Sequence, residues 1–451
     1  MRLPTLPALI LACLALTALL VPQGPLPAYA AADEGRLLKV VVLSRHGVRA
    51  PTQKHKTLEE WSERVWPVWP VKRGELTPRG GELVTAMWGN IARDFRKAGV
   101  LPANLCRQPA DVFVRADTDE RTRATARALL DALAPECRLG YAVSGDGIDP
   151  LFHPVKAGLY AFDPIGAATD ILSMTNGGLG QLQDDMATPL ALLGRISAPV
   201  SPGLCSRFNL PQDCVLSDIP NAVSVSPDGH DVGITGSLAI ASSLAEIFLL
   251  EYGEWPGVAA GWGQVTADTL RQVLPVHAKV FDVVNRAPLV AWARGSSLLS
   301  EMGAALLGMH YDERCNRASL VVFVGHDTNI ANLGALLGVN WRLGEYPANG
   351  IPPAAALMLE LWEKNGVREV RVNFLAQPMN ALHAPIARSL LAPEDLSSHA
   401  PAAAAVSAPP VVGAARFPLE EFRGRIAEAT AGAPIAPPQV PPLDSAREVT
   451  K

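Results

Sequence analysis

The sequence predicts an α/β fold, with helices layered on a central sheet, and three observations predict it. Residues 37–44 (LLKVVVLS) form a nearly unbroken apolar run that passes through a polar turn into apolar residues at helical spacing. Residues 112–116 begin the same succession again, and residues 318–324 (ASLVVFV) make a third run closed by a polar turn. Strands that alternate with helical patterns give a sheet with helices on its faces. Runs that are apolar throughout, rather than at every second residue, belong to strands covered on both sides.

The elements follow in order. Within residues 1–30 Arg2 is the only charge, residues 9–20 are apolar, and Pro22, Gly24, Pro25 and Pro27 precede the small-residue pattern Ala28-Tyr29-Ala30. This order predicts a signal peptide over residues 1–30, its apolar stretch being too short to span a bilayer. No later stretch reaches the roughly 18 consecutive apolar residues that a spanning helix needs. Thr77-Pro78 predicts an N-cap with proline in the first turn, and Leu83, Met87, Ile91 and Phe95 then recur at helical spacing. The strand at 112–116 leads through Asp119, read as a helix cap, into a helix ending near 133. From 149 to about 236 Gly, Pro, Asn and Asp are frequent and periodicity is weak, which predicts irregular structure with short helices. Helices are predicted over 237–252, 265–286 and 289–307. After the strand at 318–324, strands at 357–362 and 369–374 are predicted to join at Asn365-Gly366 as an edge hairpin. A last helix is predicted over 417–426, and residues 431–451 are predicted to be a disordered, Pro-rich tail.

The composition, 49% hydrophobic and 18% charged over 451 residues, is that of a globular protein, and a net charge of -5 gives no reason to expect a nucleic-acid partner. Cys13 lies in the predicted signal. Cys106 and Cys137 bracket one strand–helix unit and Cys205 and Cys214 a short polar loop, which predicts two local disulfides and an oxidising compartment. Cys315 has no partner nearby and is expected to be a free, buried thiol.

The chemistry-bearing residues stand directly after the three strands: Ser44-Arg45-His46-Gly47-Val48-Arg49, Asp117-Thr118-Asp119-Glu120-Arg121-Thr122-Arg123 and Gly325-His326-Asp327-Thr328-Asn329. Ligands of open α/β sheets bind beyond the carboxyl ends of the strands, so these three turns can converge. Arg45, Arg49 and Arg121 offer planar, permanently charged forks that match phosphate oxygens. His46 stands among them as the candidate nucleophile, because imidazole attacks phosphorus only when neutral and neighbouring guanidinium groups disfavour its protonation. His326 can donate to a phosphate oxygen, and Asp327 can protonate a departing alkoxide. Capping is the plainer role for both Asp327 and Asp119, and for Asp119 it is the preferred one. Arg123 is expected to face solvent. Neither His46 nor His326 has an HxxE- or HxH-spaced partner, so no metal and no cofactor is expected.

RHGVRAP at 45–51 together with His326-Asp327 resembles the histidine acid phosphatase family, branch 2 of the histidine phosphatase superfamily. The strings WPVWPVKRGELTPRGGEL, DERTR, ITGSLAIASSLAEIFLLEYG and GHDTNIANLGALLGVNW extend the likeness over roughly 37–374, toward the bacterial periplasmic acid phosphatases, phytases and glucose-1-phosphatases. The resemblance implies His46 as nucleophile and Asp327 as proton donor, with Arg45, Arg49, Arg121 and His326 on the phosphate, Thr52 beside the pocket and Asp117 close by. It also implies substrate contacts for Glu246 and Arg294, for which a solvated helix face is the plainer role. It implies a discontinuous α/β domain with a mixed central sheet, residues 31–150 and 310–430, a mostly helical cap, residues 151–309, and a site in the cleft between them. Two positions depart from the family pattern. Gln53 stands where phytase members carry a lysine, with Lys54 and Lys56 nearby. Tyr160 replaces a cysteine, which removes a long-range disulfide.

The expected activity is therefore a phosphomonoester hydrolase working at acidic pH on phytate or other organic phosphates through a phosphohistidine, His326-Asp327-Thr328-Asn329 favouring the phytase side. A glucose-1-phosphatase-like enzyme is the alternative. Intact His46 and Asp327 disfavour a non-catalytic phospho-ligand binding protein, and the signal disfavours a mutase of cytosolic metabolites. The expected protein is a periplasmic monomer whose partners are small phosphate esters.

Overall fold

The computed structural model describes residues 35–145, 147–159, 162–258, 260–384, 411–433 and 435–444. The predicted signal segment and Tyr160 lie outside the described residues. The strands are β1 (Arg36–Arg45), β2 (Val112–Ala116), β3 (Tyr141–Val143), β4 (Ala222–Val225), β5 (Val232–Thr235), β6 (Leu320–Gly325), β7 (Ala356–Lys364), β8 (Val367–Leu375), β9 (Val411–Pro418) and β10 (Leu443–Asp444). Eight of them form one mixed sheet in the order β10-β3-β2-β6-β1-β7-β8-β9. β1 and β2 both run parallel to β6, and β1 runs antiparallel to β7.

β1 is apolar throughout because both of its faces are covered. Val40 and Val42 join Met87, Trp88, Phe95 and Leu129 on one face, from helices Pro78–Lys97 and Glu120–Leu133. Val41 and Leu43 join a second cluster that runs on into Phe248 of helix Ser237–Glu254 and Leu298 of helix Pro288–Leu307. Thr77 caps the first helix as expected, its side chain accepting from the Gly80 N–H at 2.8 Å. Gly80 has to be glycine, since a Cβ there would lie 2.1 Å from the Val48 carbonyl oxygen.

Both local disulfides are present, Cys106–Cys137 and Cys205–Cys214, and Cys315 is free and buried. Among the described residues no helix is long and apolar enough to cross a membrane.

The structure departs from the sequence reading in four places. The segment from 149 to 236 holds the helices Pro164–Ser173, Gly178–Asp185, Ala187–Ser197 and Pro202–Arg207 and the β4–β5 hairpin, more regular structure than its composition suggests. Proline serves as a starter there, at the first turn of two of these helices, with Asp163 and Ser201 as caps. The β7–β8 hairpin turns at Asn365-Gly366, both at positive φ, but it is not at the edge, because β9 pairs along β8. The disordered tail predicted over 431–451 is in part docked: β10 pairs with β3, and Ala436 is buried with its N–H donating to Ser297 Oγ at 3.0 Å. Arg314 Nη2 donates to the Pro441 carbonyl at 2.8 Å and Arg115 Nη2 to Gln439 Oε1 at 3.3 Å. Donors of the domain body hold this segment, so it needs no apolar period of its own. The last helix is Leu419–Ala429, and Phe417 belongs to β9.

Candidate active site

Because β1, β6 and β2 lie side by side and parallel, their carboxyl ends leave the sheet at one edge. The His46 N–H donates to the Gly325 carbonyl at 3.0 Å and the Asp117 N–H to the Val324 carbonyl at 3.0 Å. The ladder thus continues one residue past each strand and sets His46, Asp117 and His326 in register.

His46 is 2% exposed, and its Nδ1 lies 2.9 Å from the Gly47 carbonyl oxygen. A carbonyl only accepts, so Nδ1 carries the hydrogen and Nε2 presents a bare lone pair. Burial, then the charges of Arg49, Arg45 and Arg121, hold the imidazole well below its ordinary pKa. It stays neutral under conditions in which a free histidine would be protonated, as a nucleophile must.

Arg45 is fully buried. Its guanidinium contacts Glu246 Oε1 and the Ile351 carbonyl oxygen, and lies 2.9 Å from Asp327 Oδ2. Arg49 lies 4.0 Å from Glu246, and Arg121 pairs with Asp119 at 2.6 Å. The Nε atoms of Arg45, Arg49 and Arg121 are buried and have no acceptor among the described residues, so each cation keeps donor capacity for an incoming oxyanion.

Asp327 is the first residue of helix Asp327–Leu336. Its Oδ1 accepts from the Thr328 N–H at 2.8 Å and its Oδ2 faces Arg45, while His326 holds the N-cap position, so Asp327 is not the helix cap that the sequence offered as its plainer role. Burial pushes this carboxyl up, but Arg45 and Arg49 outweigh it and hold it below its ordinary value. His326 Nε2 lies 2.6 Å from Asp117 Oδ2, and its Nδ1 lies 3.4 Å from Arg121 Nη2. The His46 and His326 rings are 5.7 Å apart between centroids, edge to face.

The remaining expected site residues divide. Glu246 is buried, which corrects the solvated-face alternative; it neutralises Arg45 and lies 3.5 Å from His277 Nε2. Arg294 is paired with Asp231 at 2.6 Å, and both line a cavity of about 310 Å³ that also reaches His153 and Thr328. Thr52 is exposed; its methyl and Arg121 Nη1 both lie within 4 Å of where a Cβ on Gly74 would stand. Lys54 and Lys56 are exposed, as is Arg123. Asp119 occupies the cap position of helix Glu120–Leu133 but makes no side-chain capping bond, because its carboxylate is held by Arg121.

Sequence reasoning missed His153. It lies in the Gly- and Pro-rich segment with no strand before it, and its Nε2 is 2.8 Å from Asp117 Oδ2. Asp117, Asp119, His153 and His326 place four potential metal-ligand atoms within 4.8 Å of one another. The 2.6 and 2.8 Å separations at Asp117 Oδ2 are those of N–H to carboxylate hydrogen bonds, and the Asp119 carboxylate pairs with Arg121 at 2.6 Å.

The chain matches the model of the histidine phosphatase superfamily, branch 2, over residues 36–185 and 258–374. It is 37% identical over 358 residues to phytase AppA of Escherichia coli, covering 77% of this chain and 82% of that protein. It is 28% identical to a glucose-1-phosphatase of Salmonella typhimurium, covering 66% of this chain and 70% of that protein. The structure of Hafnia alvei phytase in complex with tartrate superposes with a TM-score of 0.79 at 32% identity, covering 90% of this chain and all of that one. With the family model spanning more than half of the chain and its two defining turns meeting at His46, the protein belongs to branch 2 of the histidine phosphatase superfamily and is a phosphoric monoester hydrolase of the histidine acid phosphatase type.

Proposed function

We propose that the protein is a periplasmic, monomeric acid phosphatase acting on phytate or a broad range of organic phosphates, with His46 as nucleophile and Asp327 as proton donor. The observation that carries this reading is the bare Nε2 of His46, fixed by the Gly47 carbonyl and ringed by Arg45, Arg49 and Arg121.

The phosphate oxygens take the arginine forks, and the Nε2 lone pair attacks phosphorus. As the N–P bond forms, the P–O ester bond breaks, and Asp327 gives its proton to the departing alkoxide. The resulting carboxylate then takes a proton from water, which attacks the phosphohistidine and releases phosphate and neutral His46. A bound phosphate draws charge from Arg45 and Arg49, which weakens their hold on Asp327 and lets it take up the proton it must deliver. Acidic pH suits this arrangement. Asp327 and His326 both need protons, while His46, held well below its ordinary pKa by burial and the arginines, stays neutral.

The phytase reading draws on the phytases among the similar proteins and on Arg294 and Lys156 lining the neighbouring cavity, where further anionic groups of one substrate can lie. The glucose-1-phosphatase likeness and Gln53, in place of a lysine, favour a sugar phosphatase as the second reading. Residues 1–30 serve as an export signal in this account, and the two disulfides suit an oxidising compartment. We keep 151–309 as the helical cap over the α/β domain. A panel of phytate, glucose 1-phosphate, other sugar phosphates and nucleotides, assayed from acidic to neutral pH, tests the substrate class. Preference for phytate supports the first reading, and activity confined to glucose 1-phosphate replaces it with the second.

A further inference from the structure

Asp117 has one carboxylate oxygen serving two imidazoles. Its Oδ1 accepts from the Thr118 N–H at 2.7 Å, while Oδ2 lies 2.6 Å from His326 Nε2 and 2.8 Å from His153 Nε2. Burial pushes this carboxyl up, yet the bonds from the two histidines leave it well below the usual carboxylate range. An ionised carboxylate only accepts, so both Nε2 atoms carry hydrogens. A neutral His326 then has a bare Nδ1, and that nitrogen faces Arg121 Nη2 at 3.4 Å. To donate from Nδ1 to a phosphate oxygen, His326 must take up a second proton, and Asp117 is the anion that compensates the resulting imidazolium.

His153 is placed by the same segment that braces the His326 turn. Asn329 Nδ2 donates to the Phe152 carbonyl at 3.0 Å, and Asn329 Oδ1 accepts from the His326 N–H at 3.0 Å. A Cβ on Gly325 would lie 2.9 Å from the Phe152 ring. The His153 N–H donates to the Asp149 carbonyl at 2.9 Å, and the Asp149 carboxylate is held by Arg115 at 3.2 Å. The ring stands 5.1 Å from that of His326.

We propose that His153 is a positioning residue of the phosphate site: its Nε2–H occupies part of the Asp117 acceptor on which His326 depends, and so lowers the pH at which His326 becomes a phosphate donor. The charged and titratable groups around the pair fit this role. His153 faces Asp117, Asp119 and His326 on one side and the cavity holding Lys156, His230, Asp231 and Arg294 on the other. His326 faces Asp117, Asp119, Arg121, His46 and His153, with Asp327 adjacent in the chain. Asp117 is the anion common to both rings, and the hydrogen bond that His153 gives to Oδ2 leaves less of that oxygen's negative charge to stabilise a protonated His326.

Two measurements test this, the imidazole NMR titration of His326 in ligand-free protein and the pH profile of kcat/KM. His153→Asn and His153→Ala remove the Nε2 donor, and His153→Gln restores an N–H at similar reach. With the donor removed, the His326 titration and the alkaline limb of kcat/KM are expected to move up together by about one pH unit. With His153→Gln both should stay within about 0.3 of a unit of wild type, on the same charge–distance reasoning. A His326 titration unmoved in folded His153→Asn overturns the proposal, as does His153→Gln shifting as far as His153→Asn. The role assigned to His326 rests on the phosphatase reading, but the NMR titration needs no turnover. A failed phosphohistidine mechanism would therefore leave its result standing.

Discussion

Glu251 is a buried carboxyl outside the chemistry, and it gives the protein a pH dependence whose size can be worked out. It is 3% exposed on helix Ser237–Glu254, and its Oε2 accepts from the Gly261 N–H at 2.8 Å. Burial pushes its pKa up from 4.5 to about 7, the Gly261 bond opposing only in part. A carboxyl raised in the folded state binds its proton more tightly folded than unfolded. Its contribution to stability is therefore complete below pH 4.5 and is lost as pH rises toward 7. With one pKa unit equal to about 1.4 kcal/mol, this one group removes roughly 3 kcal/mol by pH 7. Glu251→Gln keeps the acceptor for Gly261 and cannot ionise. Urea unfolding at pH 4.5 and at pH 7 should show wild type and variant nearly equal at the lower pH and the variant about 3 kcal/mol more stable at the higher. A pH-independent difference between the two proteins would refute the reasoning, because a packing effect has no reason to follow a proton.

Three further predictions bear on the site and its scaffold. Asp327→Asn should lower kcat/KM for alkyl phosphates by about 10²–10⁴ and for p-nitrophenyl phosphate much less, since nitrophenolate leaves without a proton; equal losses of kcat/KM on both would remove Asp327 as the donor. Activity should be unchanged in chelator, as measured after exhaustive dialysis against EDTA, while loss restored by zinc would turn the Asp117, Asp119, His153 and His326 group into a metal site. Replacing Cys106 and Cys137, 31 residues apart, by serine should cost about 3–4 kcal/mol in denaturant unfolding, and the same change at Cys205 and Cys214, 9 apart, about 2–3 kcal/mol, because the longer loop restricts the unfolded chain more.

The parts of the site that lie one step beyond a strand were legible in the sequence. Arg45-His46, Asp117 and His326-Asp327 each follow an apolar run, and the adjacency of β1, β6 and β2 brings them together. What the sequence could not show is which side chain meets which. Glu246 reads as any polar residue on a helix until that helix packs Glu246 against Arg45. Asp119 reads as a cap, but a guanidinium two residues on competes for the same carboxylate. His153 comes from a segment without periodicity, placed by Asp149 and Phe152 through contacts that leave no pattern in the chain. The docked tail was illegible for a related reason: its Pro441 carbonyl accepts from Arg314, and its buried Ala436 has no apolar repeat around it.

The central claim is that His46 Nε2 becomes covalently phosphorylated. Asp327→Asn enzyme mixed with ³²P-labelled p-nitrophenyl phosphate, whose leaving group needs no proton, quenched in alkali within the first turnover and mapped by peptide mass spectrometry, tests it most directly. The account predicts acid-labile, alkali-stable phosphate on the peptide containing His46, and none in His46→Ala. Turnover with no label on that peptide, or label that persists in His46→Ala, would contradict it.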